Sequence, residues 1–333
     1  MTTKTIVCVS AGIDVGAETL ILVIRKNAVS MKAQRFANTL ADRKRLVKKL
    51  APFPGIIVCL EATGVYYLDL AIALHAAGIR IMVLNPKASH HFAQVLLRHS
   101  KTDAVDADTL AQYAERMPYQ PWARPADEAL ALRCLARRIN TLTRNKAAAK
   151  NQRHALTFSP QTPKAVLRDL KLSITQLEKR IDGLTEEAKT FIQAHPALAR
   201  PFALLLTVKG IGEASAIALL GELLLLPKGL THKQWVKEAL LDPRHFQSGK
   251  SIDKRARLSK AGNRAIRQAL YMPALSAKAH DPYVRGFFEH LIANGKTPLQ
   301  AVCAVMRKLL HAIHGMLTHH QPFDNTRFYT FPA

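Results

Sequence analysis

The stretch TIVCVSAGIDVG, residues 5–16, is a short apolar run that closes on an aspartate and a glycine. A run of this length bounded by a turn residue reads as a buried strand. The same signal returns downstream in TLILVIRKN (19–27), AQRFAN (33–38), GIIVCLEATG (55–64) and IRIMVLNP (79–86). Between these runs lie helical patterns: ADRKRLVKKLAP (41–52), which stops at Pro52, and YYLDLAIALHAAG (66–78), which stops at Gly78. Residues 87–117 read as one or two further helices. A β-rich start followed by strand–helix alternation predicts an α/β domain over residues 1–118.

Working outward, MPYQPWARP (117–125) carries three prolines and marks a boundary. From Asp127 to about His195 the chain reads as long helices. Leu167, Leu170, Ile174, Leu177, Ile181 and Leu184 recur at spacings of three and four, a heptad seam. This predicts a coiled-coil segment over 119–195, either an intramolecular hairpin turning near TFSPQTPK (157–164) or a dimerising pair. Residues 196–333 read as helices joined by short loops, so the last domain is expected to be mostly α-helical.

Charge narrows the partners. Lys and Arg number 48 against 24 Asp and Glu, a formal net charge of +24. Such an excess repels itself unless it meets a polyanion, and nucleic acid is the first candidate. A membrane partner is not expected. The greasiest stretch, 202–226, is broken by Lys209, Glu213 and Glu222, and the N-terminus lacks a signal-peptide pattern. Four scattered cysteines without a CxxC, and no HExxH pattern, predict reduced thiols and a cytoplasmic protein without zinc.

Three sets of acids stand at structural punctuation. Asp14 ends the first strand, Glu61 ends another, and Asp103 with Asp106 opens a helix in HSKTDAVDADTL (99–110). Carboxylates at strand ends of an open sheet lie where sites form. Asp103 and Asp106 are three apart and share a helix face, whereas Asp108 turns away from the pair toward solvent or packing. Capping and turn roles are the ordinary use of single aspartates. Four clustered carboxylates instead suit Mg²⁺, and two such ions about 4 Å apart can clamp both oxygens of a phosphodiester displacement. Lys101 is expected near a phosphate.

Two further stretches bear on nucleic acid. VKGIGEAS (208–215) has the form of a helix-hairpin-helix turn, so Lys209, Gly210 and Gly212 are candidates for phosphate binding at a helix start, beside the plainer reading of a helix–helix turn. Residues 241–271 carry Arg244, Lys250, Lys254, Arg255, Arg257, Lys260, Arg264 and Arg267. A serine among arginines that hold a phosphate can attack it. Spacing alone does not separate Ser248 from Ser251 or Ser259.

Together these blocks resemble a known family. GIDVG, LEATGVY, NPKASHHFAQ and KTDAVDADTLAQY are similar to the DEDD transposase domain of the IS one-hundred-ten insertion-sequence family. VKGIGEASAIALLGEL, DPRHFQSGKS, RLSKAGNRAIRQALYMPA and LIANGKTPLQAVCAVMRKLLHAIHGML resemble its C-terminal transposase domain. The likeness runs over nearly the whole chain in family order. It implies a RuvC-like, RNase H-type first domain in which Asp14, Glu61, Asp103 and Asp106 hold Mg²⁺. It implies Ser248 as the nucleophile that links covalently to DNA. It also implies a structured guide RNA that pairs with donor and target DNA, and a homodimer or homotetramer in which the carboxylate domain of one subunit meets the serine domain of another. The expected setting is the bacterial cytoplasm, at the nucleoid when active. The family pattern AGLxP reads ALLDP here, with Leu240 in the glycine's place, which puts the turn presenting Ser248 in doubt. Two alternatives remain: a RuvC-like Mg²⁺-dependent nuclease of branched DNA that uses a metal-bound water, and a non-enzymatic nucleic-acid-binding protein with a decayed site.

Overall fold

A computed structural model describes residues 9–98, 100, 102–249, 252–258 and 262–331, apart from the side chains of His245, Ser248 and 252–256. Lys101, Lys250 and Lys260 lie outside the described residues, as do the side chains of Lys254 and Arg255. The chain forms two compact units, residues 1–124 and 125–333.

The first unit is built on one sheet. Its elements are β1 (Val9–Val15), β2 (Thr19–Lys26), β3 (Val29–Ser30), β4 (Gln34–Ala37), α1 (Leu40–Leu50), β5 (Ile57–Glu61), α2 (Leu68–Ala76), β6 (Arg80–Leu84), α3 (Pro86–Val95) and α4 (Asp103–Arg116). The strand order is β3-β2-β1-β5-β6, with β4 also paired to β2. β1 is antiparallel to β2 and parallel to β5, which is parallel to β6. The α1 and α2 crossovers account for the parallel pairs. This is the α/β arrangement expected of the first domain. The two-residue β3 escaped the sequence reading. Asn27 and Ala28 both take positive φ (49° and 64°), the geometry of a tight hairpin loop, without the Asn-Gly pair that usually announces one.

One glycine fixes how the helix layer sits. A Cβ on Gly12 of β1 would lie 2.0 Å from the Ala107 carbonyl oxygen and 2.3 Å from the Ala111 nitrogen. Only hydrogen lets β1 and α4 approach this closely. The small α4 face, with Ala107 and Ala111 fully buried, completes the contact.

Among the described residues the second unit is helical apart from one hairpin. Its elements are α5 (Asp127–Thr157), α6 (Lys164–Ala194), α7 (Pro196–Leu206), α8 (Glu213–Leu223), α9 (His232–Glu238), β7 (Pro243–Ser248), β8 (Ile252–Leu258), α10 (Arg264–His280), α11 (Pro282–Ala293) and α12 (Pro298–His319). The long helices α5 and α6 pack along each other. Leu170, Ile174, Ala188 and Ile192 are the buried residues of α6, and Ala129, Leu132, Ala136, Ile139 and Leu142 those of α5. At these positions the heptad seam is therefore spent within the hairpin.

Pro243–Ser248 and Ile252–Leu258 form the antiparallel pair β7–β8, where only helices and loops were expected. β7 does not alternate apolar with polar residues, and in β8 the alternation of Ile252, Ala256 and Leu258 with Asp253, Arg255 and Arg257 is broken at Lys254, so the period-2 signal is weak. The surviving cue is the Ser-Gly pair at the turn. At the root of the hairpin Leu240 is 2% exposed and adopts φ 61°. The turn takes a glycine-like backbone here, with leucine bearing a left-handed penalty of about 1–2 kcal/mol. Leu240→Ala keeps that penalty and loses a buried side chain, a cost of about 2–5 kcal/mol. Leu240→Gly relieves it, and should come out about 1 kcal/mol more stable than Leu240→Ala in urea titration, despite being smaller.

Gly262 and Asn263 lock the other side of this root. A Cβ on Gly262 would meet the Glu238 carbonyl oxygen at 2.5 Å. The Asn263 side chain caps α10 by accepting from Ala265 N–H, and donates to Glu222 Oε2 at 2.6 Å. Glu222, 4% exposed, also accepts from Arg137 Nε at 2.7 Å. This part-buried link joins α5 to α8 across 85 residues and α8 to the start of α10 across 41, beyond the reach of local pattern reading.

Candidate active site

Asp14 lies one residue short of the end of β1, and Glu61 is the last residue of β5. The parallel register pairs Ile13 with Leu60, which brings the two acids to adjacent strand ends. α4 supplies the other pair. Thr102 accepts from Val105 N–H and starts the helix, so Asp103 and Asp106 occupy its first turn, where a carboxylate interacts favourably with the helix dipole. The close Gly12 contact lays this helix on β1.

The electrostatics of Asp14 report the gathering. Burial first, then the negative charges of Asp103, Asp106 and Glu61, push its pKa from 3.8 up to about 6, against a backbone hydrogen bond from Val15 that lowers it. Glu61 is held by two hydroxyls: Thr63 Oγ1 donates to Oε1 at 2.8 Å, and Ser89 Oγ donates to Oε2. Neither was singled out from sequence. The signal lay in NPKASHHFAQ, whose Asn85 caps α3 and whose Ser89 lies four residues on. Among the described residues no three His, Cys, Asp or Glu side chains converge tightly enough to enclose an ion as they stand. The donor set still fits a hard divalent cation. Its donors are carboxylate oxygens, and the repulsion that raises Asp14 is what a cation would relieve.

Asp108 parts from its neighbours, as helical geometry required, and it faces packing rather than open solvent. It accepts from Ser30 Oγ, from Gln112 Nε2 at 2.8 Å, from Arg98 at 2.7 Å and from Arg25 at 3.2 Å. Burial alone would raise its pKa. The hydrogen bonds from Ser30, Gln112 and Arg25, with the Arg25 charge, hold it below the ordinary carboxylate value instead. Arg25 is 6% exposed and is also paired to Glu115 at 2.9 Å. Asp108→Ala leaves this guanidinium short of a partner and should lower stability by about 2–3 kcal/mol. Thermal melts of the Asp108→Ala variant against wild type check this.

In the second unit, Ser248 is the last residue of β7, paired with Ile252 of β8. Gly249 follows with φ 56°, a left-handed turn conformation that glycine adopts without strain. Ser251 and Ser259 lie outside the described residues. Arg244 and Arg257 pair across the strands and are exposed. Arg264 is the first residue of α10 and is exposed. The VKGIGEAS turn divides. Gly210 (φ 100°) packs on α10, where a Cβ would meet Ala277 N at 2.6 Å, so this glycine serves the turn. Lys209 and Gly212 are exposed, and Gly212 is the N-cap of α8. Glu213, in the first turn of α8, pairs with Lys189 at 3.0 Å and already supplies an anion to that helix start.

No helix among the described residues is long and apolar enough to cross a membrane. Residues 11–157 match the family model of the DEDD transposase domain, described as a transposase, and residues 202–289 match that of the Transposase IS116/IS110/IS902 family. The pilin gene-inverting protein of Moraxella bovis is 30% identical over 267 residues, which cover 80% of this chain and 81% of that protein. The transposase for insertion sequence element IS1328 of Yersinia enterocolitica is 24% identical over 286 residues, 78% of this chain and 80% of its own. Among solved structures, RuvC of Thermus thermophilus with a Holliday junction substrate is 16% identical at a TM-score of 0.27, covering 34% of this chain and 99% of that one. With both halves of the chain matched in order, and a relative at this identity aligned over most of both lengths, the chain belongs to the IS110 family of transposases, enzymes that act by DNA cleavage and rejoining.

Proposed function

We propose that the protein is an RNA-guided DNA recombinase that moves an insertion element, using a Mg²⁺-dependent carboxylate site and a serine nucleophile. The gathering of Asp14, Glu61, Asp103 and Asp106, reported by the raised pKa of Asp14, carries this reading. These four would hold Mg²⁺, which when bound supplies charge neutralisation and Lewis-acid activation at the phosphodiester. Thr63 and Ser89 orient Glu61 by donating to it.

Ser248 Oγ bonds to the scissile phosphorus, its proton leaves to an ionised acceptor, and the sugar oxygen of the cut strand departs. Attack on the same phosphorus by the hydroxyl of a second strand then releases the serine. One phosphodiester is exchanged for another, so rejoining needs no outside energy source. The hairpin supports this role because it ends in Ser248 and turns at a left-handed Gly249, with Arg244 and Arg257 exposed nearer its root. Lys209, Gly212, Arg244, Arg257 and Arg264, with Lys101, Lys250, Lys254, Arg255 and Lys260, would contact the nucleic-acid backbone. The protein acts as a homodimer or homotetramer that meets the carboxylates of one subunit with the serine of another.

RNA guidance is supported by the +24 charge on a chain without an obvious base-reading motif, since base pairing would then carry the sequence choice. Sequencing the RNA that co-purifies with the protein tests it. The expected result is one structured RNA from the flank of the element; a random cellular pool would overturn guidance. The second reading, hydrolysis of branched DNA by water, is favoured by one fact: all four carboxylates lie in the first unit and need nothing from the hairpin.

A further inference from the structure

The root of the β7–β8 hairpin opens on a cleft of about 520 Å³ that none of the readings above assigns. Its floor is apolar, with Leu258, Leu291 and Cys303, and the exposed Leu299 stands at its edge. Its cations are Arg257, Lys296 and Arg307; all three are exposed, and no acidic residue lines the cleft. None of the three is ion-paired among the described residues. A greasy floor beside unpaired cations matches one ligand chemistry well, a nucleotide with its base on the floor and its phosphate on the cations.

Place narrows the ligand further. Pro243 and Leu258 pair at the root, where they line the cleft, and Ser248 pairs with Ile252 at the far end. Five strand residues at about 3.4 Å each put the cleft roughly 17 Å from Ser248 along β7. An unpaired strand lying on the hairpin therefore reaches the cleft a few nucleotides from the phosphate at Ser248. We propose that this cleft is a nucleotide-binding subsite that holds an unpaired base and its phosphate from the DNA strand being cut, a few nucleotides from the cleavage point. The proposal rests on Ser248 as the nucleophile. It adds Lys296, Arg307 and Leu299 to the DNA-contacting residues, and it makes the hairpin a spacer between two grips on one strand.

The test uses the full chain, a DNA duplex carrying the element end, and a matched guide RNA. The Lys296→Ala/Arg307→Ala double variant should bind the duplex about tenfold more weakly at moderate salt, with a log–log salt slope lower by about 2. Cys303 supplies a second readout that a general loss of charge would not move. Its maleimide labelling should fall at least about tenfold when DNA binds, while the exposed Cys134 serves as reference. An abasic residue scanned along the strand should weaken wild-type binding most at one position a few nucleotides from the cleavage point. Unchanged Cys303 labelling in a DNA-bound wild-type protein, or an unchanged slope in the variant, would overturn the subsite and leave the recombinase reading standing. Protection of Cys303 by guide RNA alone would overturn the assignment to DNA. A wild-type protein that binds no DNA would overturn both.

Discussion

Ser248→Ala protein should bind the element's DNA with near wild-type affinity and form no denaturation-resistant protein–DNA adduct. Removing an essential nucleophile costs on the order of a thousandfold or more in rate, because the covalent intermediate has no other route. The alanine removes one hydroxyl from the end of a strand whose backbone pairing runs through Ile252, so the hairpin should persist. A gel that survives boiling in detergent reads the adduct, and a binding titration on the same preparation reads affinity. Adducts that persist would remove Ser248 from the mechanism. Strand cleavage that continues without adducts would move the protein to the water-hydrolysis reading. Loss of binding along with adducts would assign the residue to DNA positioning instead.

Asp14→Asn should abolish cleavage and, in the same protein, stabilise the metal-free fold at neutral pH. The folded-state pKa of Asp14 is raised from 3.8 to about 6, so the native state holds this proton more tightly than the unfolded chain. Below about pH 4 both states are protonated and the group contributes nothing. Stability then falls as pH rises from about 4 to 6, and the loss is complete above that window. Asparagine removes the charge, so the melting temperature of the metal-free variant should exceed that of wild type at pH 8, and the gap should close toward pH 4. Mg²⁺ should raise the wild-type melting temperature and raise that of the variant less. A variant that melts below wild type at pH 8, or an unchanged response to Mg²⁺, would show that Asp14 is not part of a repelling carboxylate set.

Much of the first unit was legible because its signals are local. Apolar runs of strand length, each closed by an acid or a turn residue, place Asp14 and Glu61 at strand ends without knowledge of the sheet order. The three-residue spacing of Asp103 and Asp106 likewise separates them from Asp108. What stayed hidden depends on partners far along the chain. Arg25 meets Asp108 across 83 residues, and Arg137 meets Glu222 across 85. The β7–β8 hairpin was missed for another reason. β7 shows no alternation and Lys254 interrupts the one in β8, so the signal of a half-buried strand is weak. The position of Leu240 was noticed only as a departure from a motif; the left-handed backbone there explains what the motif's glycine is for.

The contact at Gly12 has a consequence for the history of the element. Its missing side chain leaves no room even for a methyl group, so this position admits one amino acid as firmly as a catalytic one does. A mobile element leaves copies behind, and copies released from selection drift. A copy with all four acids and Ser248 intact but alanine at Gly12 would pass any inspection of its chemistry and still be silent, because the helix carrying half of the acids could no longer seat. Surveys that count living copies by their catalytic residues should therefore count this glycine among them.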